Sequence, residues 1–116
     1  MKTLLLFISG ILLLSGCGIF NTCNEIHIRG EITSISRYGD TTSILIEGEL
    51  EKDTAYDKAS ASVSSKTRII DKRGGQETKT DAGILETGLT VEACFEGAVA
   101  ESYPVQATAG SVFVID

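Results

Sequence analysis

Apolar residues at every second position, in short segments separated by turns, constrain the fold of this chain more than any other feature. In residues 59–63 alanine and valine alternate with serine, and in residues 89–95 the larger apolar residues alternate with Thr, Glu and Cys. A period of two places one set of side chains on one face of a strand, whereas a helix would need a period of 3.6. The pattern predicts strands in residues 26–35, 43–50, 59–70, 89–95 and 112–115. Ile35 is out of phase with Ile28 and Ile32, which predicts that the first strand is long and bends near Gly30.

The segments between these strands contain turn signals. Residues 37–41, Arg-Tyr-Gly-Asp-Thr, predict a turn, and the charged, Gly-rich residues 71–80 predict a mobile surface loop. Asp81 is placed to cap one helical turn over residues 82–87, with Gly88 at its end. Residues 97–110, most of them small, are predicted to form a long connection between the last two strands.

Five strands with a short helical turn between the third and the fourth are the element order of an oligonucleotide/oligosaccharide-binding (OB) barrel. Closing the sheet would remove the exposed edges that a flat five-stranded sheet leaves. We therefore expect an all-β, OB-like five-stranded barrel over residues 25–116, with a small sandwich or an open barrel as the alternative.

The N-terminal segment has the layout of a secretory signal. Lys2 precedes an apolar run over residues 4–14, which is too short to span a bilayer core that needs about 20 residues. Leu14-Ser15-Gly16-Cys17 resembles the bacterial lipobox, at which the thiol is acylated and the signal is removed. The resemblance implies a signal peptide over residues 1–16, lipidation of Cys17, a tether over residues 17–24 and a protein anchored to the cell membrane on its extracytoplasmic side. The alternative is an ordinary signal peptide with a coincidental cysteine.

Charge limits the partners of the remaining chain. Without residues 1–16 the protein has 100 residues, with 9 basic and 16 acidic side chains and a formal charge of −7. An acidic domain of this size is not expected to bind nucleic acid, whose phosphates require a basic surface. It is also not expected to adhere to anionic lipid by charge, so the lipid anchor would supply the contact with the membrane.

Two cysteines are left if Cys17 is acylated. Cys23 and Cys94 would then be an even pair in an oxidising compartment, and we expect them to form a disulfide. The alternative is two unrelated thiols, with Cys94 as a small core residue. Two cysteines and one distant histidine do not have the spacing of a zinc site, and we expect no metal and no cofactor.

Five further segments are informative together: Gly30-Glu31-Ile32, Ile44-Leu45-Ile46-Glu47-Gly48, Tyr56-Asp57-Lys58-Ala59, Leu89-Thr90-Val91-Glu92 and, most specifically, Glu101-Ser102-Tyr103-Pro104-Val105-Gln106-Ala107. These segments resemble those of a known family, the small YobA-like lipoproteins of Gram-positive bacteria. The resemblance implies an extracytoplasmic location and an OB-like domain, and it implies no reaction.

Candidates for catalysis are few. His27 is the only histidine, and between Ile26 and Ile28 it is expected to be a solvated residue on the outer face of the first strand. No serine lies in a Gly-x-Ser-x-Gly motif. Glu47, Glu49 and Glu51 are expected to form a solvated acidic face of the second strand, since a straight strand does not converge oxygen ligands on one cation. We therefore predict that the protein is not an enzyme.

The candidate binding residues are Glu101, Tyr103 and Gln106. Pro104, the only proline, stiffens the segment that carries them. Two interpretations of this segment are open. It is a rigid surface that contacts a ligand or an envelope protein, or it is a turn in which Tyr103 closes the end of the barrel. The leading hypothesis is a non-catalytic binding or interaction module. The alternatives are a structural envelope lipoprotein without a small-molecule ligand and an unrecognised hydrolase.

Overall fold

The computed structural model describes residues 23–116, so the predicted signal peptide, Cys17 and most of the tether lie outside the described residues. This part of the chain is all-β, as predicted, and contains two 3-10 turns, Arg73–Gly75 and Ala82–Ile84, but no α-helix. The strands are β1 (Ile28–Tyr38), β2 (Thr41–Glu47), β3 (Lys58–Val63), β4 (Arg68–Asp71), β5 (Thr78–Thr80), β6 (Thr90–Ala100) and β7 (Val105–Val114).

All seven strands belong to one sheet, in the order β3-β2-β1-β6-β7-β4-β5. β3 also pairs with β7, in parallel, so that β1, β2, β3, β7 and β6 form a closed ring of five strands. The other pairs of the ring are antiparallel. β4 continues along β7 beyond β3, and β5 lies at the outer edge.

The predicted alternation builds the core of this ring. Ala59, Ala61 and Val63 of β3 have no exposed surface, whereas Ser62 between them is exposed. Burying a side chain of the size of Val63 contributes about 1.5–3 kcal/mol, and burying the methyl group of an alanine contributes less, so the register that points all three inward is favoured. The largest fully buried side chains are Ile28, Ile32, Ile44, Ile46, Val63, Ile69, Leu85, Val91, Val112 and Val114.

β1 bends, as the change of phase predicts. Its register with β2 shifts between Ile32 and Ser34, and after this shift the partly buried Ile35 packs against the core. Gly30 has a different role from the predicted one, because it lets two backbones approach closely. A Cβ atom on Gly30 would overlap the carbonyl oxygen of Glu47, and one on Gly48 would overlap that of Arg29. Any side chain at either position would therefore push β1 away from the end of β2.

The prediction of five strands was wrong, because two short strands and a turn occupy residues 64–80. The predicted third strand is interrupted at Ser64, whose carbonyl accepts a hydrogen bond from the backbone N–H of Thr67. The Thr67 hydroxyl then donates to the carbonyl of Ala109, which fixes the turn against β7 at 2.8 Å. Residues 71–80, predicted to be a mobile loop, contain the first 3-10 turn and β5.

Other boundaries also differ from the prediction. Asp81 caps a turn as expected, since its carboxylate accepts from Gly83 N at 2.8 Å, but the turn ends at Ile84. β2 ends at Glu47 rather than at residue 50. The predicted link over residues 97–110 is mostly strand, because β6 extends to Ala100 and β7 begins at Val105. Val105, Ala107 and Ala109 alternate on the core side, but their small side chains give a weak sequence signal.

The connections between strands gather at two ends of the ring. We call one the Tyr103 end, where residues 23–27, 48–57 and 101–104 meet through contacts such as Ala55 N to His27 O and Tyr103 to Asp57. We call the other the groove end, formed by residues 39–40, 64–67 and 72–89. A disulfide joins Cys23 to Cys94 on β6, with 5.8 Å between the Cα atoms, so the predicted pairing is present in the structure.

Candidate functional site

The connection between β6 and β7 presents Tyr103 to solvent. The side chain is 68% exposed, its hydroxyl lies 3.3 Å from Asp57 Oδ2, and Lys58 Nζ lies 5.4 Å from the ring centroid. Ser102 Oγ donates to the carbonyl of Pro104 at 2.8 Å within the same connection, and the Tyr103-Pro104 peptide is cis. One of the two expectations was that Tyr103 closes the end of the five-stranded ring as a buried side chain. Its exposure shows that it does not.

Glu101 contacts a second tyrosine. Tyr56 donates its hydroxyl to Glu101 Oε2 at 3.5 Å. The partly buried Tyr56 ring packs against Phe95 with 5.9 Å between centroids. Burial, and to a smaller degree the charge of Glu101, raises the pKa of Tyr56 above its ordinary value. Glu101 is therefore attached to the core through an aromatic pair.

Gln106 lies apart from the 101–104 connection, on the outer face of β7. Its neighbours in register are Ser60 on β3 and Ala100 on β6. The two residues beside it in sequence, Val105 and Ala107, point into the core, and Gln106 is exposed. The structure thus places Glu101 and Tyr103 on one connection and Gln106 at the start of the adjoining polar strand face.

His27 is not the solvated strand residue that its position predicts. It precedes β1, its side chain is only 26% exposed, and its ring stacks on Phe95 with 5.3 Å between centroids and 6° between planes. Its Nδ1 accepts a hydrogen bond from the backbone N–H of Phe95 at 2.9 Å. The histidine is therefore a structural acceptor for β6, and that nitrogen is not free to act as a base.

Arg29, at the Tyr103 end, donates hydrogen bonds to three carboxylates. Arg29 Nε donates to Glu92 at 2.7 Å, Nη1 and Nη2 donate to Asp53 at 3.1 and 2.8 Å, and Nη1 also bonds Glu51. Hydrogen bonds from Arg29 lower the pKa of Asp53. The hydrogen bonds that Arg29 donates to Asp53 and to Glu92 raise the pKa of Arg29. This cluster holds the 48–57 connection against β1 and β6.

The predicted acidic face of the second strand is therefore wrong. β2 ends at Glu47, which accepts from Thr33 Oγ1 at 2.7 Å and lies 3.6 Å from Lys58 Nζ. Glu51 belongs to the Arg29 cluster instead of a common face. Arg29 was missed because its partners are distant in sequence. The one observation that could have revealed the cluster is the pairing of β1 with β6, which places Arg29 opposite Glu92.

The groove end carries an open groove of about 540 Å³. Ser64, Ser65 and Thr67 form one side of it, and residues 79–83 and Asp40 form the rest. No groove residue was a binding candidate in the sequence, because these residues were assigned to the third strand, to turns and to a mobile loop over residues 71–80. Arg37 braces the groove end by donating to the carbonyls of Ala82 and Leu85 at 3.2 and 2.6 Å.

Within residues 23–116, no group of three or more His, Cys, Asp or Glu side chains is arranged to hold a metal ion. None of the helical segments in the same part of the chain has the length and apolar character needed to cross a bilayer. Comparison of the chain with protein-family models, curated proteins and solved structures finds no match.

Proposed function

We propose that this chain is a lipid-anchored extracytoplasmic protein whose OB-like domain binds a partner without catalysis. The observation that carries the proposal is the exposed but braced ring of Tyr103. An aromatic side chain held by Asp57 and Lys58 loses little conformational freedom on contact, and tyrosine supplies both apolar area and a polar tip.

The pairing order of the ring supports an OB-like barrel. The third and last strands of the ring, β3 and β7, close it in parallel, and the remaining pairs are antiparallel. In this assignment β4, β5 and the 3-10 turn at Ala82–Ile84 replace the short helical connection of a five-stranded OB barrel. The proposal also agrees with the resemblance to YobA-like lipoproteins.

The surroundings of His27 support a role without catalysis. A general base must reach the proton that it removes, and here Nδ1 is occupied by the Phe95 backbone while the ring is stacked. Lipid anchoring is supported by the sequence of residues 1–17 and by the disulfide, which suits an oxidising compartment.

The test compares two exposed tyrosines in the acylated, full-length protein. Tyr103→Ala should reduce chemical crosslinking to envelope partners several-fold while the melting temperature stays close to that of the wild type, because the ring leaves no cavity. Tyr38→Ala is the matched control, since Tyr38 is 85% exposed on the β1–β2 hairpin at the groove end. Equal partner yields from Tyr103→Ala and wild type would contradict the binding role.

A further inference from the structure

The chain enters the folded domain at the Tyr103 end and is held there by several bonds. The disulfide joins Cys23 to Cys94 on β6. The backbone N–H of His27 donates to Ala93 O at 2.9 Å, and the N–H of Phe95 donates back to His27 Nδ1 at 2.9 Å. The point at which the tether joins the domain is therefore fixed beside β6.

The tether from Cys17 to Cys23 is short. Six residues span at most about 20 Å when fully extended. By comparison, β1, with its 11 residues, is about 34 Å long along the strand. If Cys17 is acylated, as proposed above, the tether holds the Tyr103 end close to the bilayer, and the groove end lies on the far side of the ring.

The two ends differ in charge. The residues that form the Tyr103 end, 23–27, 48–57 and 101–104, contain six acidic residues and one lysine. Arg29 pairs with two of these carboxylates, Glu51 and Asp53, which leaves four carboxylates against Lys52. The residues that form the groove end, 39–40, 64–67 and 72–89, contain four basic and four acidic residues, so their charges balance. An acidic surface is repelled by anionic lipid, so bare bilayer is a poor occupant for the end that faces it.

We infer that the Tyr103 end docks a basic extracytoplasmic segment of an integral membrane protein, next to the bilayer. The inference rests on the proposed function and names its partner class. A segment rich in Lys and Arg complements the excess of carboxylates at the Tyr103 end, and its cations can pair with the exposed face of the Tyr103 ring. Proximity to the bilayer selects a partner that is itself embedded in the membrane.

A first experiment measures orientation without any partner. The full-length acylated protein is inserted in vesicles of phosphatidylcholine and phosphatidylglycerol, with a fluorescent amino acid in place of either Tyr103 or Tyr38. Energy transfer to a headgroup-bound acceptor should be several-fold stronger from position 103. Equal transfer, or stronger transfer from position 38, would overturn the inference.

A second experiment identifies the occupant in growing cells. A photo-crosslinking amino acid at position 103 should form an adduct that maps to a Lys/Arg-rich extracytoplasmic segment adjoining a membrane span, and the same group at position 38 should not. Glu49→Lys should lower the yield several-fold, whereas Glu77→Lys, an exposed residue at the groove end, should leave it unchanged. Adducts only with lipid, a soluble protein or a second copy of this chain, or no adduct, would contradict the inference.

The Cys17→Ser variant separates the two proposals. If wild type and Cys17→Ser partition identically into detergent, the lipid anchor itself is wrong, and the proposed function fails with it. If the wild type is acylated and binds a partner through Tyr103, but that partner is soluble or acidic, only the inference about docking fails.

Discussion

The His27 ring lies parallel to the Phe95 ring and accepts the backbone N–H of the same residue at 2.9 Å. One side chain thus satisfies a donor of β6 and covers an apolar ring at the edge of the core. Tyr56 contacts the same Phe95 ring. The three aromatic residues connect the chain entry to the connection that precedes β3.

His27→Ala should lower the free energy of unfolding by about 1–3 kcal/mol, since it leaves the Phe95 N–H without its partner and removes the stacked ring. His27→Asn should lose less, because its side-chain oxygen can accept the same hydrogen bond. Chemical denaturation of both variants with the disulfide intact measures the difference. Wild-type stability in His27→Ala would show that the hydrogen bond contributes nothing.

Reduction of the Cys23 to Cys94 disulfide should destabilise the domain by about 4 kcal/mol, because the crosslink closes a loop of 71 residues in the unfolded chain. Melting curves with and without reductant measure this effect. Cys23→Ser should reproduce most of it, since Cys23 is only half-buried, and Cys94→Ala adds a small core change. Labelling of both thiols in the native, non-reduced protein would instead show that they are unpaired.

Stability should fall in acid partly through Asp71. Hydrogen bonds from the Arg73 side chain, and then from its backbone, lower the pKa of Asp71 from 3.8 to about 2. A carboxyl group whose pKa is lower in the folded state stabilises fully above its unfolded pKa, and this contribution is lost as the pH falls from 3.8 to about 2. In Arg73→Gln, the Asp71 carboxyl signal should titrate by NMR nearer to 3.8. An unchanged titration would exclude Arg73 as the cause.

The parallel closure of the ring is sensitive to volume at Ala61. This residue has no exposed surface and lies opposite Ala107 in the β3–β7 register. Ala61→Leu should cost about 1–3 kcal/mol through overpacking, whereas Ser62→Leu, exposed on the same strand, should change stability by less than about 0.5 kcal/mol. Equal tolerance of both changes in denaturation experiments would contradict the closed ring.

Sequence reasoning succeeded where large apolar side chains alternate, as in Ile44 and Ile46 of β2. It failed along β7, because Ala107 and Ala109 mark a buried face with small side chains that resemble those of a loop. The Arg29 cluster depends on the pairing of strands more than 60 residues apart in sequence, so local patterns could not reveal it. Tyr103 was selected by its proline-stiffened segment, but only the fold shows that its ring is exposed.

If the protein is exported, as proposed above, the pairing of β3 with β7 has a consequence for its folding. It joins Ala59 to Val105 and Ser62 to Thr108, so the ring cannot close before β7 is available. Such non-local pairing slows folding, because the entropy of loop closure must be overcome before the contacts form. A chain that crosses a membrane from its N-terminus onward would stay unfolded during most of its translocation. It would complete its core only after β7 has crossed.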